Sequence, residues 1–223
     1  RNTEDVYTFK FSYTNDKEAT VSFAHTFSND RVTAKINLFK VDKETGKPVP
    51  QGDATLKGAV YGLYAREDIV HPDGATGTIY KAGEQVASLT TDDKGQASVN
   101  GLYLGKYYVK EITPPTGYLA DTEEHDLVCS YEGDMTAEVK RECSSSEQVI
   151  KQPFQIIKAA NNGKTDADLL SGAGFTVYLK SSLTKNADGS YDFDSAKPVV
   201  SGENGATEIF TDEKGYACSI PLP

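Results

Sequence analysis

The chain consists of short runs in which apolar and polar residues alternate, separated by turn residues. The clearest run is Ala34 to Val41, which leads into the polar turn Asp42 to Gly46. Alternation with a period of two is typical of strands with one buried face, and no run of ordinary helical length shows a 3.6-residue period. We therefore predict an all-β fold of the sandwich type. The other predicted strands are Gly58 to Tyr64, Val86 to Thr90, Ala97 to Asn100, Lys106 to Ile112, Asp126 to Tyr131, Met135 to Cys143 and Gln148 to Lys158.

Two stretches of the chain are repeated in the same order and at similar spacing. Asp92 to Ser98 corresponds to Asp212 to Cys218, and Gly58 to Tyr64 corresponds to Gly172 to Tyr178. Self-similarity of this kind indicates tandem units built on one plan.

The repeat divides the chain into three predicted parts. Residues 33–153 are expected to form a complete β-sandwich, and residues 154–223 a truncated second one. Residues 1–32 are expected to be the closing hairpin of an upstream β domain, with strands at Val6 to Thr14 and Thr20 to Phe27. The terminal domains are thus predicted to be incomplete.

Charge and composition narrow the functional classes. The formal net charge is -10, which disfavours nucleic acid as a partner, since such surfaces need clustered Lys and Arg. No run of about 18 apolar residues is present, so no membrane span is expected. The first residues lack the apolar core of a signal peptide, and we expect a mature piece of a longer extracellular protein.

The chemistry-bearing residues do not form a catalytic set. Cys129, Cys143 and Cys218 lack metal-ligand spacing, so neither a metal nor a cofactor is expected. Cys129 and Cys143 lie on consecutive predicted strands, which leaves open a disulfide or two buried thiols. The sequence has no hydrolase elbow, phosphate loop or zinc-protease motif, and we do not expect an enzyme.

Three stretches together resemble one domain family. They are Lys40 to Asp42 followed by Thr45 to Lys47, then Leu56 to Tyr64, and then Gly105 to Tyr118 with its Gly-Lys-Tyr start and Pro-x-Gly-Tyr end. They are similar to the SpaA-type, or collagen-adhesin B-type, prealbumin-like domains of Gram-positive surface pilins and adhesins. The resemblance covers about residues 33–223. It implies tandem Ig-like sandwiches, an extracellular location with cell-wall attachment through the parent protein, and a structural or adhesive role.

The resemblance also implies an isopeptide bond between a first-strand Lys and a last-strand Asn or Asp, promoted by a Glu. Lys40 shares a strand face with Ile36 and Leu38, and Glu111 shares one with Val109. Both ionisable residues are therefore expected in the core. Burial lowers the pKa of a Lys and raises that of a Glu, which allows a neutral amine to attack a side-chain carbonyl carbon.

The acceptor departs from the family pattern. The position that corresponds to the family's Asn or Asp, shortly before Pro153, is Lys151, which cannot accept an amine. Glu147 lies on the same predicted strand face and is a distant substitute. The sequence thus leaves two alternatives: an isopeptide bond of Lys40, or a buried ion pair of Lys40 with Glu111.

Two further residues fit family positions near the ends. Asn29 fits the acceptor position of an upstream domain, and Lys158 fits the donor position of the truncated copy. One consequence is that the N-terminal hairpin of one molecule completes the truncated copy of another by strand addition.

We expect a structural or adhesive segment whose partners are neighbouring repeats of the same protein. The alternative is a module that binds a host matrix protein or a carbohydrate within a larger adhesin or secreted enzyme. The insertion between Arg66 and Gln85 is the candidate recognition loop, because variable binding is usually carried by loops.

Overall fold

The computed structural model describes residues 6–10, 12, 16–17, 20, 22–27, 30–161 and 168–223. In this part of the chain the helical elements are two short 3-10 turns, at Lys180–Ser182 and Glu203–Gly205, and no helix has the length and apolar character needed to cross a bilayer. The strands are β1 (Thr33–Asp42), β2 (Val60–Ala65), β3 (Ile69–Val70), β4 (Thr78–Tyr80), β5 (Gln85–Thr90), β6 (Gln96–Leu102), β7 (Gly105–Thr113), β8 (Glu124–Cys129), β9 (Glu138–Glu147), β10 (Gln155–Ile157), β11 (Gly174–Thr176), β12 (Thr184–Lys185), β13 (Tyr191–Asp192), β14 (Glu208–Phe210) and β15 (Tyr216–Cys218).

Two sheets build the larger part of the molecule. One has the strand order β6-β1-β9 and the other β5-β2-β7-β8. Strands β1 and β9 run parallel, with ten paired residues from Thr33 opposite Glu138 to Asp42 opposite Glu147. The other pairs in these two sheets are antiparallel. The predicted all-β sandwich fold is confirmed.

The core lies between these two sheets, because each strand turns alternate residues inward. The inward residues of β1 are fully buried, and they change from apolar at Ala34, Ile36 and Leu38 to ionisable at Lys40 and Asp42. The apolar core is completed by residues of the facing and neighbouring strands, which include Tyr61, Leu63, Tyr107, Val109, Leu127, Cys129, Val139 and Cys143. One end of the sandwich is therefore apolar and the other contains buried charge.

The insertion between β2 and β5 contains regular secondary structure. Its strands β3 and β4 pair antiparallel, and Ile69 is buried in the core between the main sheets. Val70, one residue further, is exposed. The insertion is thus anchored by one side chain and presents others at the surface.

The first predicted strand pair has no counterpart among the described residues before Arg31, none of which lies in a strand. The two segments still face each other through their rings. Tyr7 stacks on His25 with centroids 3.9 Å apart, and Phe9 stacks on Phe23 at 5.5 Å. These contacts are compatible with a hairpin, and the assignment of residues 1–32 to an upstream domain stays a prediction.

Local contacts in the second part of the chain reproduce those of the first. The backbone N–H of Lys40 donates to Gly95 O at 2.7 Å, and that of Lys158 donates to Gly215 O at 2.8 Å. Likewise the Ala59 N–H donates to the hydroxyl of Thr91, and the Ala173 N–H to that of Thr211. The sequence repeat therefore corresponds to repeated backbone geometry, and the tandem-domain arrangement stays a prediction.

Gly95 is required where the turn between β5 and β6 meets β1. Its φ is +71°, a left-handed conformation that costs other L-residues about 1–2 kcal/mol, and a Cβ there would lie 2.8 Å from Lys40 O. We expect Gly95→Ala to lower the free energy of unfolding by more than that strain alone, as measured by urea denaturation. Gly101→Ala is the matched control, since Gly101 has the same φ with nothing within 4 Å of its added Cβ. Equal losses in the two variants would contradict a cost from the close approach.

Candidate crosslinking site

Lys40 lies inside the sandwich near the polar end of β1. The alternation along β1 points its side chain inward, where it is fully buried, and the predicted burial is confirmed. Its backbone pairs with Ser145 of β9, and its Nζ lies 5.4 Å from the ring centroid of Tyr118. A primary amine is therefore held out of water between the two sheets.

Glu111 reaches the same place from the opposite sheet. It lies on β7 on the same face as the buried Tyr107 and Val109, and is itself buried as predicted. One carboxylate oxygen, Oε1, lies 3.6 Å from Lys40 Nζ, and the other, Oε2, accepts the backbone N–H of Asp121 at 2.8 Å.

Glu147 is the last residue of β9 and completes the group. Its Oε2 is in direct contact with Lys40 Nζ. Its Oε1 accepts the hydroxyl of Tyr61 at 2.8 Å and that of Ser145 at 3.1 Å. The carboxyl carbon of Glu147 is thus fixed beside the amine by two hydroxyl donors.

The three atoms that meet at this point have no conventional hydrogen bond. Lys40 Nζ, Glu111 Oε1 and Glu147 Oε2 are the buried side-chain polar atoms without a hydrogen-bond partner in the described part of the chain. Desolvated charges of this kind cost several kcal/mol each unless attraction and good geometry compensate. Two carboxylates also face a single ammonium, so the group carries excess negative charge when all three are ionised.

Burial changes the chemistry available to Lys40. Desolvation is the larger effect and lowers the pKa of its ammonium to about 8, against the attraction of Glu111, which raises it. A neutral amine is consequently accessible near physiological pH. An amine in contact with a carboxyl group is placed to attack its carbon, and hydroxyl donors on the far oxygen can protonate that oxygen as it leaves.

Asp42 closes the polar end of the core. Its Oδ1 accepts the backbone N–H groups of Glu44 and Thr45, its Oδ2 accepts the hydroxyl of Tyr118 at 3.0 Å, and Gln51 Nε2 donates to both oxygens. Burial alone would raise the pKa of Asp42, but these hydrogen bonds outweigh it and hold the pKa below its usual range. The group formed by Lys40, Glu111 and Glu147, called the lysine group below, contains polar atoms without a hydrogen-bond partner. Both carboxylate oxygens of Asp42, in contrast, accept hydrogen bonds.

The structure does not support the predicted correspondence of Lys151 to the acceptor. Strand β9 ends at Glu147, and Lys151 lies beyond it, partly exposed, with its Nζ 2.6 Å from Glu44 Oε2. The hydrogen bond from Lys151 is the main reason why the pKa of Glu44 falls to about 2. The β9 residue whose carboxylate contacts Lys40 is Glu147, which the sequence pattern ranked only as a distant substitute for the acceptor.

The remaining predicted site residues lie apart from this group. Lys158 follows β10 and is exposed, in contrast to Lys40. Asn29 lies outside the described residues. Cys129 and Cys143 are buried free thiols, the second of the two alternatives left open by the sequence, and burial raises the pKa of Cys143 to about 11.

Sequence reasoning missed three neighbours of the lysine group. Ser145 donates to Asp121 Oδ2 at 2.8 Å, and the same oxygen lies 2.7 Å from His125 Nε2. A signal was present only for Ser145, which shares a strand face with Glu147. Asp121 belongs to a loop whose path the pattern does not predict.

Residues 34–142 match the family model of the SpaA prealbumin-like fold domain. This stretch is a SpaA-type domain. Lys40 and Glu111 lie within it, and Glu147 follows its last matched residue. The comparison with curated proteins gives no match.

Solved structures similar to this chain include pilins. The Bacillus anthracis TIE protein is 22% identical, with a TM-score of 0.49, over 85% of this chain and 27% of that one. A streptococcal ancillary pilin is 22% identical, with a TM-score of 0.37, over 87% and 51%. The shaft pilin SpaA of Lactobacillus rhamnosus GG is 19% identical, with a TM-score of 0.34, over 83% and 80%. The chain therefore spans about a quarter of the first protein and about half of the second.

Proposed function

We propose that the chain is a structural and adhesive segment of a Gram-positive pilin or adhesin, in which Lys40 and Glu147 become joined by an amide bond. The main support for this amide is the contact of Lys40 Nζ with Glu147 Oε2 inside the sandwich, beside Glu111. Condensation replaces an unsatisfied amine and carboxylate with one neutral amide, which removes two buried charges. The SpaA-type domain at residues 34–142 supports the role at the cell surface.

The proposed reaction balances without a cofactor. Lys40 loses one proton and Glu147 takes one up on Oε1, both in exchange with solvent, and the resulting amine attacks Cδ of the protonated carboxyl group. The new nitrogen centre loses a second proton to Glu111, the Cδ–Oε1 bond breaks, and Oε1 leaves as water after gaining one further proton. Each chain undergoes this once, so the chemistry is self-modification, and we propose no enzymatic activity.

The organisation along the chain belongs to the same proposal. Residues 33–153 and 154–223 are successive repeats whose neighbours in the parent protein are their partners, at an extracellular location with cell-wall attachment through that parent. This organisation is supported by two equivalent backbone hydrogen bonds, from Lys40 N–H to Gly95 O and from Lys158 N–H to Gly215 O.

The intact mass of the denatured, reduced chain tests the amide. We expect a mass lower by one water than the sequence requires, and a branched peptide after digestion that contains both Lys40 and Glu147. Lys40→Met should restore the plain mass. Glu147→Gln should still react but lose ammonia, because the same carbon then carries an amide nitrogen as the leaving group. A wild-type mass equal to the plain sequence would refute the bond.

A binding role for the insertion is the second candidate function. An apolar cavity of about 260 Å³ lies between the insertion and the sandwich, lined by residues that include Val70, Pro72, Tyr103 and Tyr131. Val70 and Tyr131 are more than half exposed. A concave apolar surface with aromatic rims is typical of a recognition site for a protein or glycan.

A further inference from the structure

A line of hydrogen-bonding groups runs from the lysine group towards the surface. Glu147 Oε1 accepts from Ser145 Oγ at 3.1 Å, Ser145 Oγ lies 2.8 Å from Asp121 Oδ2, and Asp121 Oδ2 lies 2.7 Å from His125 Nε2. Every link is within hydrogen-bond distance. The line begins at the oxygen of Glu147 that does not touch Lys40.

The other end of the line opens into a cavity. A cavity of about 500 Å³ is lined by residues that include Asp121, Glu123, His125 and Glu147. The His125 side chain retains 21% of its exposure, whereas that of Asp121 retains 9% and that of Glu147 only 1%. The imidazole is therefore the member of the line that solvent reaches most easily.

The hydroxyl of Ser145 has a single proton and two acceptors. It can donate to Asp121 or to Glu147, and it can accept from whichever of them is protonated. A hydroxyl in this position passes a proton from one carboxyl group to the other by rotation. Ser144 and Ser146, the adjacent residues of β9, are exposed and do not face the lysine group.

Resting on the proposed amide, we propose that Ser145, Asp121 and His125 form a proton relay that protonates the leaving oxygen of Glu147. The imidazolium of His125 gives a proton to Asp121, Asp121 passes one to Ser145, and Ser145 donates its own to Oε1, which departs as water into the cavity. His125 is reloaded from solvent. Glu111 keeps the proton that it took from Lys40 Nζ, so protons and charge balance.

Asp121 also positions the second carboxyl group. Its backbone N–H donates to Glu111 Oε2 at 2.8 Å, which leaves Oε1 of Glu111 facing the amine. One loop residue thus couples the group that removes a proton from the nitrogen to the relay that supplies one to the oxygen.

The test follows the rate of amide formation in newly made chain. The full chain is pulse-labelled in a cell-free translation reaction, quenched in acid and denaturant at intervals, and scored for the mass deficit of one water. Relative to wild type, we expect His125→Ala to slow the reaction by roughly 10²-fold, the lower range for general acid-base catalysis, and added imidazole to restore most of the rate. Ser145→Ala should be equally slow and insensitive to imidazole, while Ser146→Ala should react at the wild-type rate.

A second variant separates proton transfer from folding. His125→Gln can still donate an N–H to Asp121 but cannot carry a proton, and we expect it to fold with an unchanged near-UV circular dichroism spectrum and to react slowly. The relay is overturned if His125→Gln reacts at the wild-type rate, or if imidazole fails to accelerate His125→Ala. The mass of the wild-type chain tests the amide separately. If wild type loses one water while a variant result contradicts the relay, the amide is supported and only the relay is refuted. If wild type never loses water, both proposals are refuted.

Discussion

Replacing Lys40 by alanine is expected to lower the free energy of unfolding by at least about 3–5 kcal/mol, the usual cost of removing one partner from a buried ionic group, because the loss of the proposed amide adds to that cost. The substitution leaves Glu111 and Glu147 buried without their shared cation. It also removes the amine on which the amide depends. Urea denaturation monitored by circular dichroism measures the loss.

The matched control for this variant is Lys35→Ala on the same strand, because Lys35 faces outward and is only partly buried. We expect its effect to be within about 0.5 kcal/mol, as for most surface substitutions. Adding Glu147→Leu to Lys40→Ala should recover part of the lost stability, since it removes one of the uncompensated carboxylates. If Lys40→Ala unfolds at the same urea concentration as Lys35→Ala, neither the buried charge group nor the proposed amide stabilises the fold.

Asp42→Ala is expected to produce the second large loss, about 2–4 kcal/mol, because hydrogen bonds to a charged group contribute about 1.5–3 kcal/mol each and the bonds in this set overlap. The variant leaves the Tyr118 hydroxyl buried without its acceptor and frees two backbone N–H groups of the following turn. Asp92→Ala is the comparison, since Asp92 accepts backbone N–H groups in a similar turn at an exposed position. Its effect should be clearly smaller.

The contribution of Asp42 also has a predictable pH dependence. Hydrogen bonding holds the pKa of the folded carboxyl group below its ordinary value of about 3.9. The carboxylate therefore stabilises the fold fully above that ordinary value, and the contribution is lost as the pH falls through the lower pKa of the folded state. Stability measured from pH 7 downward should decline less steeply in Asp42→Ala than in wild type, and parallel acid limbs would contradict the assignment.

The sequence predicts the faces of Lys40 and Glu111 because β1 and β7 keep the two-residue alternation of burial through these positions. It could not predict the acceptor, which depends on the register between β1 and β9, strands about 100 residues apart in the chain. The family pattern before Pro153 matched Lys151 to the acceptor position, whereas β9 ends earlier, at Glu147. Alternation tells which side a residue faces, and only the folded pairing tells which residue it meets.

The proposed relay could not be predicted from the sequence for the same reason. Ser145, Asp121 and His125 come from a strand, a loop and another strand, and no local pattern connects them. The insertion between Arg66 and Gln85 was predicted as a loop, but Ile69 anchors part of it in the core. Short strands of two or three residues, such as β3, are too brief to show alternation.

The parallel pairing of β1 with β9 determines how the domain would carry tension. A pull applied before Thr33 and after Glu147 drives the two strands past each other along their length, so the ladder hydrogen bonds are loaded together rather than opened one at a time. With the proposed amide between Lys40 and Glu147, the force passes through a covalent bond and bypasses the chain between them. That shielded loop, which would otherwise extend to about 360 Å at about 3.4 Å per residue, stays folded, and a row of such domains transmits tension without lengthening.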